Sequence, residues 1–295
     1  MPIDFYKYHA LGNDYLVIDP NKTEIELTAE TIKLICHRNF GVGADGILYG
    51  PLIASDRLRL RIFNPDGSEA EKSGNGIRIF SKYLFEANYV TAKSFVLDTL
   101  GGEVAVEILD DKAGLIGVDM GTVTFQSNLI PVNGEPREMV NEVLPVDGKR
   151  FKVTCVSIGN PHCVIPLAEI SKDLAMKFGP LVENHPLFPN RINVQLLKVL
   201  DKSNIQIEIW ERGAGYTLAS GSSSCAAASA AHRLGLVGKE VKVHMPGGGI
   251  KIEIKDNGHV HMTGTVSAVA RGEFAEEFKR DVKLSRQDAE TQRSS

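Results

Sequence analysis

Short runs of alternating apolar and polar residues, rich in Val, Ile, Phe and Tyr and closed by Gly, Asn or Asp, make up most of the chain. Phe5 to Lys7, Tyr15 to Ile18, Leu58 to Phe63, Ser94 to Asp98, Gly102 to Ile108 and Leu115 to Met120 read as strands. So do Lys152 to Val156, Val164 to Pro166, Asn193 to Val199, Ile205 to Trp210, Val241 to His244, Gly249 to Ile254 and His259 to Gly264. Helical spacing is confined to Thr28 to Cys36, Gly76 to Ala87, Ile170 to Phe178 and Ser223 to Leu234. Strands do not alternate one for one with helices, so the expected class is α+β, not a parallel βαβ fold.

The second half repeats the first in outline: several strands, a glycine-rich turn, then an apolar helix. Ser73-Gly74-Asn75-Gly76 and Ser220-Gly221-Ser222-Ser223 open the two corresponding helices, 220 minus 73, or 147, residues apart. The run Cys225-Ala226-Ala227-Ala228-Ser229-Ala230-Ala231 has a thin side-chain coat, which lets a curved sheet wrap closely around it. Two domains, each with a central helix, are expected. A helix start presents unpaired N–H groups and the positive end of the helix dipole, so a pair of such starts suits one anion, here a carboxylate.

Composition narrows the partner. With 295 residues and 43% hydrophobic, the chain can bury one large or two medium cores. A formal charge of -4 and no long basic block give no general attraction to nucleic acid or an anionic membrane, which points to a small molecule. No run approaches the roughly 18 apolar residues of a membrane span and no N-terminal stretch reads as a leader, so a cytoplasmic location is expected. Cys36, Cys155, Cys163 and Cys225 lack CxxC spacing and read as buried free thiols. His185 and the pair His259 and His261 lack partners at reliable metal-ligand spacing, and Gly41-Val42-Gly43 and Gly247-Gly248-Gly249 lack the rest of a nucleotide motif, so no metal or cofactor is expected. The stretch from Lys279 to Ser295 is a polar tail, frayed or helical on the surface.

The chemistry gathers at the two helix starts. Asn64-Pro65-Asp66-Gly67 follows one strand and Glu211-Arg212-Gly213-Ala214-Gly215 follows another, and both set polar side chains at a strand end. Taken alone, Asn64 and Asp66 are as well explained as turn formers, and Glu211 and Arg212 as a solvated pair.

Longer stretches decide between these readings. Arg61-Ile-Phe-Asn-Pro-Asp-Gly-Ser-Glu-Ala-Glu-Lys-Ser-Gly-Asn-Gly-Ile-Arg78 and Trp210-Glu-Arg-Gly-Ala-Gly-Tyr-Thr-Leu-Ala-Ser-Gly-Ser-Ser-Ser-Cys-Ala-Ala227 resemble the two signature segments of the diaminopimelate epimerase family. Leu11-Gly-Asn-Asp-Tyr15, Gly41-Val-Gly-Ala-Asp-Gly46, Ser157-Ile-Gly-Asn-Pro-His162, Phe188-Pro-Asn-Arg-Ile-Asn-Val194 and Met262-Thr-Gly264 extend the resemblance, in the family's order, through nearly the whole chain. It implies two similar domains, each a curved mixed sheet around a central helix, with the active site in the interdomain cleft. Residues 1–120 with about 265–278 would form the first domain and 121–264 the second. It also implies interconversion of LL- and meso-diaminopimelate, in lysine and cell-wall precursor synthesis, without pyridoxal phosphate or metal. One cysteine removes the α-proton and another returns one from the opposite face. Many members are homodimers.

The resemblance assigns substrate binding to Asn13, Asn64, Asn160, Asn193, Glu211 and Arg212. The backbone N–H groups of Gly74, Asn75, Gly221 and Ser222 would hold the proximal carboxylate and stabilise charge as it develops there. A zwitterionic amino acid end needs such amide and cationic donors, and Arg can meet a carboxylate with two hydrogen bonds. His162 stands near the implied cleft, either as a hydrogen-bonded loop histidine or as an auxiliary acid or base; Asp45 and Asp66 read as structural.

The departure is at the decisive place. Ser73 and Ser220 occupy the positions of both catalytic cysteines. A cysteine at a helix start becomes a thiolate near neutrality, whereas serine is far less acidic, so two-base epimerisation is expected to be severely impaired. Either the cysteines at these two positions were deliberately exchanged for serine, or the chain is a natural paralogue that has left the cysteine mechanism; Ser223, Tyr216 and Ile79, which also depart from common family residues, favour divergence. The alternatives to epimerisation are one-sided chemistry on a related amino acid, such as dehydration, and a non-catalytic binder.

Overall fold

The computed structural model describes residues 4–54, 57–280 and 282. They fall into two compact units, one holding the residues up to Ile116 together with those from Thr265 onward, the other Gly117–Gly264. Of the polar tail, residues 281 and 283–295 lie outside the described residues.

The first unit contains β1 (Phe5–Ala10), β2 (Asn13–Ile18), α1 (Ala29–Cys36), β3 (Ile47–Ala54), β4 (Arg57–Phe63), β5 (Glu69–Ala70), α2 (Gly74–Glu86), β6 (Ser94–Thr99) and β7 (Gly102–Ile108). β8 (Leu115–Thr122) leads into the second unit, which continues with β9 (Glu142–Val146), β10 (Lys149–Ser157), β11 (Pro161–Pro166), α3 (Lys172–Glu183) and β12 (Asn193–Asp201). It is completed by β13 (Asn204–Glu211), β14 (Gly215–Thr217), α4 (Gly221–Arg233), β15 (Glu240–Met245), β16 (Gly248–Ile254) and β17 (His259–Thr265); β18 (Ser267–Gly272) returns to the first unit.

Strand pairing reveals a duplication. In the first unit β1 and β2 pair antiparallel, β2 and β3 parallel, β3 and β4 antiparallel, β4 and β6 parallel, and β6 and β7 antiparallel. In the second the same alternation runs through β10, β11, β12, β13, β15 and β16. The short β5 hangs on β4 as β14 hangs on β13, and in each case the next element is the long central helix. The parallel pairs β2–β3 and β11–β12 are each bridged by a helix, α1 or α3, as a parallel connection requires a crossover. Thus the mixed α+β class arises from two copies of one strand–helix plan.

Each central helix is sheathed by its sheet. In α2 every residue from Gly74 to Leu84 is buried, and in α4 Cys225 to Ala231 are buried. The alanines of α4 let the strands of the second unit close on the helix backbone. Further packing lies on the other side: Leu16, Ile18, Ile32, Ile35, Ile47 and Phe63 cluster under α1, joined by Phe274, which follows β18. In the second unit Phe151, Phe178, Val182, Ile192 and Val194 cluster under α3. All four cysteines are buried thiols outside any disulfide. Among the described residues no helix is long and apolar enough to cross a membrane, and no group of three or more His, Cys, Asp and Glu is arranged to hold a metal ion.

The helices depart from the sequence expectation at their ends. Periodicity places the central helices at Gly76–Ala87 and Ser223–Leu234, whereas both begin two residues earlier because Ser73 and Ser220 cap them. The expected Ile170–Phe178 becomes Lys172–Glu183, capped by Ser171 and continuing through Pro180. Beyond Pro180, which lacks a backbone donor, Val182 is buried and Glu183 accepts from Trp210, so the last turn is held by packing and side-chain bonding. Strands β3, β9 and β18 have no counterpart in the periodicity. β18 is almost wholly exposed and carries no apolar alternation; its pairing with β1 defines it.

Gly179 in α3 lies against the indole of Trp210, and a Cβ there would come within 2.5 Å of the ring. Elsewhere in a helix Gly→Ala stabilises by about 0.5–1 kcal/mol. Gly179→Ala should instead lower stability by about 1–3 kcal/mol, because ring and helix must part; urea unfolding of the variant measures it, and a gain in stability would contradict the packing.

Candidate active site

In the first unit, β4 ends at Phe63 and the chain turns through Asn64 to Gly67, where Gly67 N–H donates to Asn64 O (3.0 Å). Asp66 Oδ1 accepts from Ser68 N–H (2.9 Å) and Ser68 Oγ (2.6 Å), which holds its carboxyl below the usual range. Asn64 Nδ2 donates to Ser68 Oγ (3.0 Å), so its side chain is engaged within the turn. β5 follows and delivers the chain to Ser73, whose extended backbone (φ -138°, ψ 114°) and hydroxyl cap α2 by accepting from Gly76 N–H at 3.1 Å. Tyr15 Oη lies 3.2 Å from Ser73 Oγ.

The first turn of α2 is tied to β2. Asn75 Nδ2 donates to Asn13 Oδ1 (3.0 Å), and the buried Arg78 donates to Asn75 Oδ1 (2.7 Å) and to Gly74 O (3.3 Å). Asn13 in turn donates to Asp45 (2.9 Å), which accepts from Arg38 (2.6 Å). Arg38 also reaches Asp14 (2.8 Å), as does Lys7 (2.9 Å); burial of Asp14 works against its charge, yet these two cations hold its pKa below the ordinary value. Asn13, Ser73, Gly74 and Asn75 thus come together at one helix start.

The second unit builds the equivalent start differently. Ser220 has the same extended backbone (φ -147°, ψ 127°) and caps α4 by accepting from Ser223 N–H, at a longer 3.4 Å. Its Oγ lies 3.5 Å from Ser222 Oγ, which accepts from Asn160 Nδ2 at 3.5 Å, and Asn160 Oδ1 meets His162 Nε2 at 2.9 Å. Gln195 Nε2 donates to Ser223 Oγ (3.0 Å), pinning the first turn of α4 to β12.

His162 is wholly buried on β11. Burial lowers its pKa from 6.5 to about 3, the hydrogen-bonding influence of Gln195 opposing the shift and the Arg212 charge adding to it. Nδ1 of His162 and Oε1 of Gln195 are buried without a well-formed hydrogen bond among the described residues. The ring is neutral at physiological pH and serves as a partner of Asn160.

Asn193, the strand neighbour of His162, donates to Pro161 O (2.8 Å) and accepts from Arg212 N–H (2.9 Å). Its amide therefore fixes the backbone where β13 ends at Glu211. The exposed Arg212 side chain donates to Asn190 O (3.1 Å). Beneath this loop lies a residue the sequence reading missed: buried Glu183 accepts from Trp210 Nε1 (2.7 Å), Gly213 N–H (2.9 Å) and Arg191 (3.2 Å). Tyr15 and Gln195 were likewise assigned no role. Tyr15 sits within the Leu11–Tyr15 motif, the one available signal; nothing local marks Glu183 or Gln195.

The arrangement offers, in each unit, a serine-capped helix start whose capping hydrogen bond goes to the third helical residue. The N–H groups of Gly74, Asn75, Gly221 and Ser222 are not the ones the caps use. Such starts suit anionic oxygen.

A sequence model of diaminopimelate epimerase matches residues 5–126 and 154–269. The chain is 57% identical to diaminopimelate epimerase 2 of a Nostoc species over 275 residues, covering 93% of this chain and 96% of that one. It is 39% identical to the diaminopimelate epimerase of Moorella thermoacetica, with 92% and 98% covered. A crystal structure of a probable proline racemase from Agrobacterium radiobacter has the same fold, with a TM-score of 0.70 at 15% identity and 93% of each chain covered. With its duplicated plan, its two capped helix starts and relatives matched almost end to end, the chain belongs to the diaminopimelate epimerase family.

Proposed function

We propose that the chain is a pyridoxal-phosphate-independent epimerase that interconverts LL- and meso-diaminopimelate, weakened by serine at both proton-transfer positions. The observation that carries this reading is the recurrence of one serine-capped helix start in both units, at Ser73 and Ser220, the positions that the family resemblance assigns to its cysteines. The substrate is a small amino acid, and a cytoplasmic homodimer is the proposed working form.

In this reading the N–H groups of Gly74, Asn75, Gly221 and Ser222 receive the carboxylate next to the reacting carbon. When the α-proton leaves, its electron pair spreads into that carboxylate, so donors already aimed there lower the barrier. Asn64, Asn193, Glu211 and Arg212 are assigned to the distal amino acid group, with Asn13 and Asn160 beside the reacting end. The intramolecular bonds of Asn193 support backbone positioning: its amide holds Arg212 N–H and Pro161 O. Proton removal and return fall to the two serine positions, because His162, neutral and wholly buried, is too weak a base.

Incubation with LL- or meso-diaminopimelate in heavy water, followed by NMR of the α-proton, tests the reading. The Ser73→Cys/Ser220→Cys variant should exchange at least about 10²-fold faster than the parent, since each thiol ionises near neutrality. Equal rates would show that the serines are not the limiting bases, and exchange in neither protein would exclude diaminopimelate as the substrate. A change of substrate mass would favour one-sided chemistry such as dehydration; binding without exchange in the cysteine variant would favour a binder.

His162 makes a separate prediction. Unfolded, it binds a proton below about pH 6.5; folded, it does so only near 3. Its contribution is thus complete above pH 6.5 and is lost as pH falls toward 3, by about 1.4 kcal/mol per pH unit. Urea unfolding between pH 7 and 4 should show a steeper loss for the parent than for His162→Gln; parallel profiles would contradict the buried neutral ring.

A further inference from the structure

The two serines are not held alike. Ser73 Oγ accepts from Gly76 N–H at 3.1 Å and lies 3.2 Å from Tyr15 Oη, while Ser220 Oγ has Ser223 N–H at 3.4 Å and Ser222 Oγ at 3.5 Å. Backbone makes room for the first pair. A Cβ at Gly46 would stand 2.7 Å from the Tyr15 ring, and one at Gly76 would stand 3.2 Å from Ser73 Oγ. Tyr15, only 7% exposed, is therefore fixed on β2 with its hydroxyl against the cap of α2.

A serine hydroxyl is a poor base because its alkoxide is unstable. Hydrogen bonds given to the charged form shift that balance, and they strengthen as charge develops. With Tyr15 donating, Ser73 Oγ faces two donors, one phenolic and one from the backbone, at the positive end of α2. We propose that Tyr15 is a positioning residue that stabilises the charged form of Ser73, making Ser73 the more readily ionised of the two serines. This deepens the epimerase reading above and rests on it.

The step balances with water alone. Ser73 first loses its hydroxyl proton to water. Its Oγ then forms a bond to the α-proton as the Cα–H bond breaks, and that electron pair remains on the substrate, spread into the carboxylate. In the return direction the Ser73 O–H bond breaks, the proton goes to the α-carbon, and the charge left on Oγ is again held by Tyr15 O–H and Gly76 N–H. A phenol is the stronger acid of the two, so while the pair is charged the proton between Tyr15 Oη and Ser73 Oγ is shared, and it returns to Tyr15 once Oγ holds the α-proton.

Exchange of the α-proton of diaminopimelate in heavy water, measured across substrate concentrations, tests the role. Tyr15→Phe should lower the rate constant about 10²-fold, as loss of one donor to a developing anion does, with KM changed less than about threefold. Placed on Ser73→Cys, the same substitution should cost less than about threefold, since a thiolate at a helix start needs no phenol. Unchanged exchange in Tyr15→Phe overturns the proposal. So does an equal loss on both backgrounds, which would mark a structural role. No exchange in the parent beside clear exchange in Ser73→Cys/Ser220→Cys overturns it too, and leaves the epimerase reading standing. Absence of exchange from both proteins removes that reading and this one together.

Discussion

The rest of the candidate site depends on a hydroxyl oxygen accepting the N–H of the third residue in a helix. At Ser73 and at Ser220 this bond goes with an extended backbone at the serine itself and ends the strand-to-helix turn at a defined place. The first two N–H groups of each helix are left to other acceptors, which is the physical basis for assigning a carboxylate there. Serine makes a strong cap and a weak base. The same substitution that costs proton-transfer capacity therefore supports the helix start.

Around that shared feature the two units diverge in how the cap is backed. In the first, Asn75, Arg78, Asn13 and Asp45 form a continuous chain of hydrogen bonds that ends at Arg38 on the surface. In the second, the chain from Ser222 through Asn160 ends on a buried neutral histidine. Charge thus reaches the first start and stops short of the second. Because the strand order and pairing directions are the same in both units, the difference arises from side chains and not from topology.

The second unit also shows how a distant buried group shapes an exposed one. Glu183 has its two oxygens engaged by Trp210, Gly213 and Arg191, and this holds the turn after β13 from which Arg212 projects. A buried carboxylate is tolerated only when its hydrogen-bonding capacity is met. Gly179 completes the arrangement by letting the indole pack closely against α3. Arg212 is presented by packing that lies beneath it, while Asn193 secures its backbone from the side.

Much of this was legible along the chain. Strands such as Leu58 to Phe63 and Ile205 to Trp210 carry their alternation openly, the alanine run of α4 announces a closely wrapped helix, and the duplicated Ser-Gly starts mark both caps, because each is a local pattern of backbone preference and side-chain size. The family could be read for the same reason: its motifs are contiguous. What needed the tertiary structure were the relations between segments far apart in sequence. Tyr15 meets Ser73 across 58 residues, Gln195 meets Ser223 across 28, and Glu183 meets Trp210 across 27. β18, with no apolar alternation of its own, is a strand only because β1 lies beside it. Burial decided the character of His162, which by sequence suits either a loop or a base and by environment is held neutral. Hydrogen bonding, burial and the electrostatics that follow depend on the neighbours a fold assembles, whereas turn, cap and periodicity depend on the neighbours the chain already has.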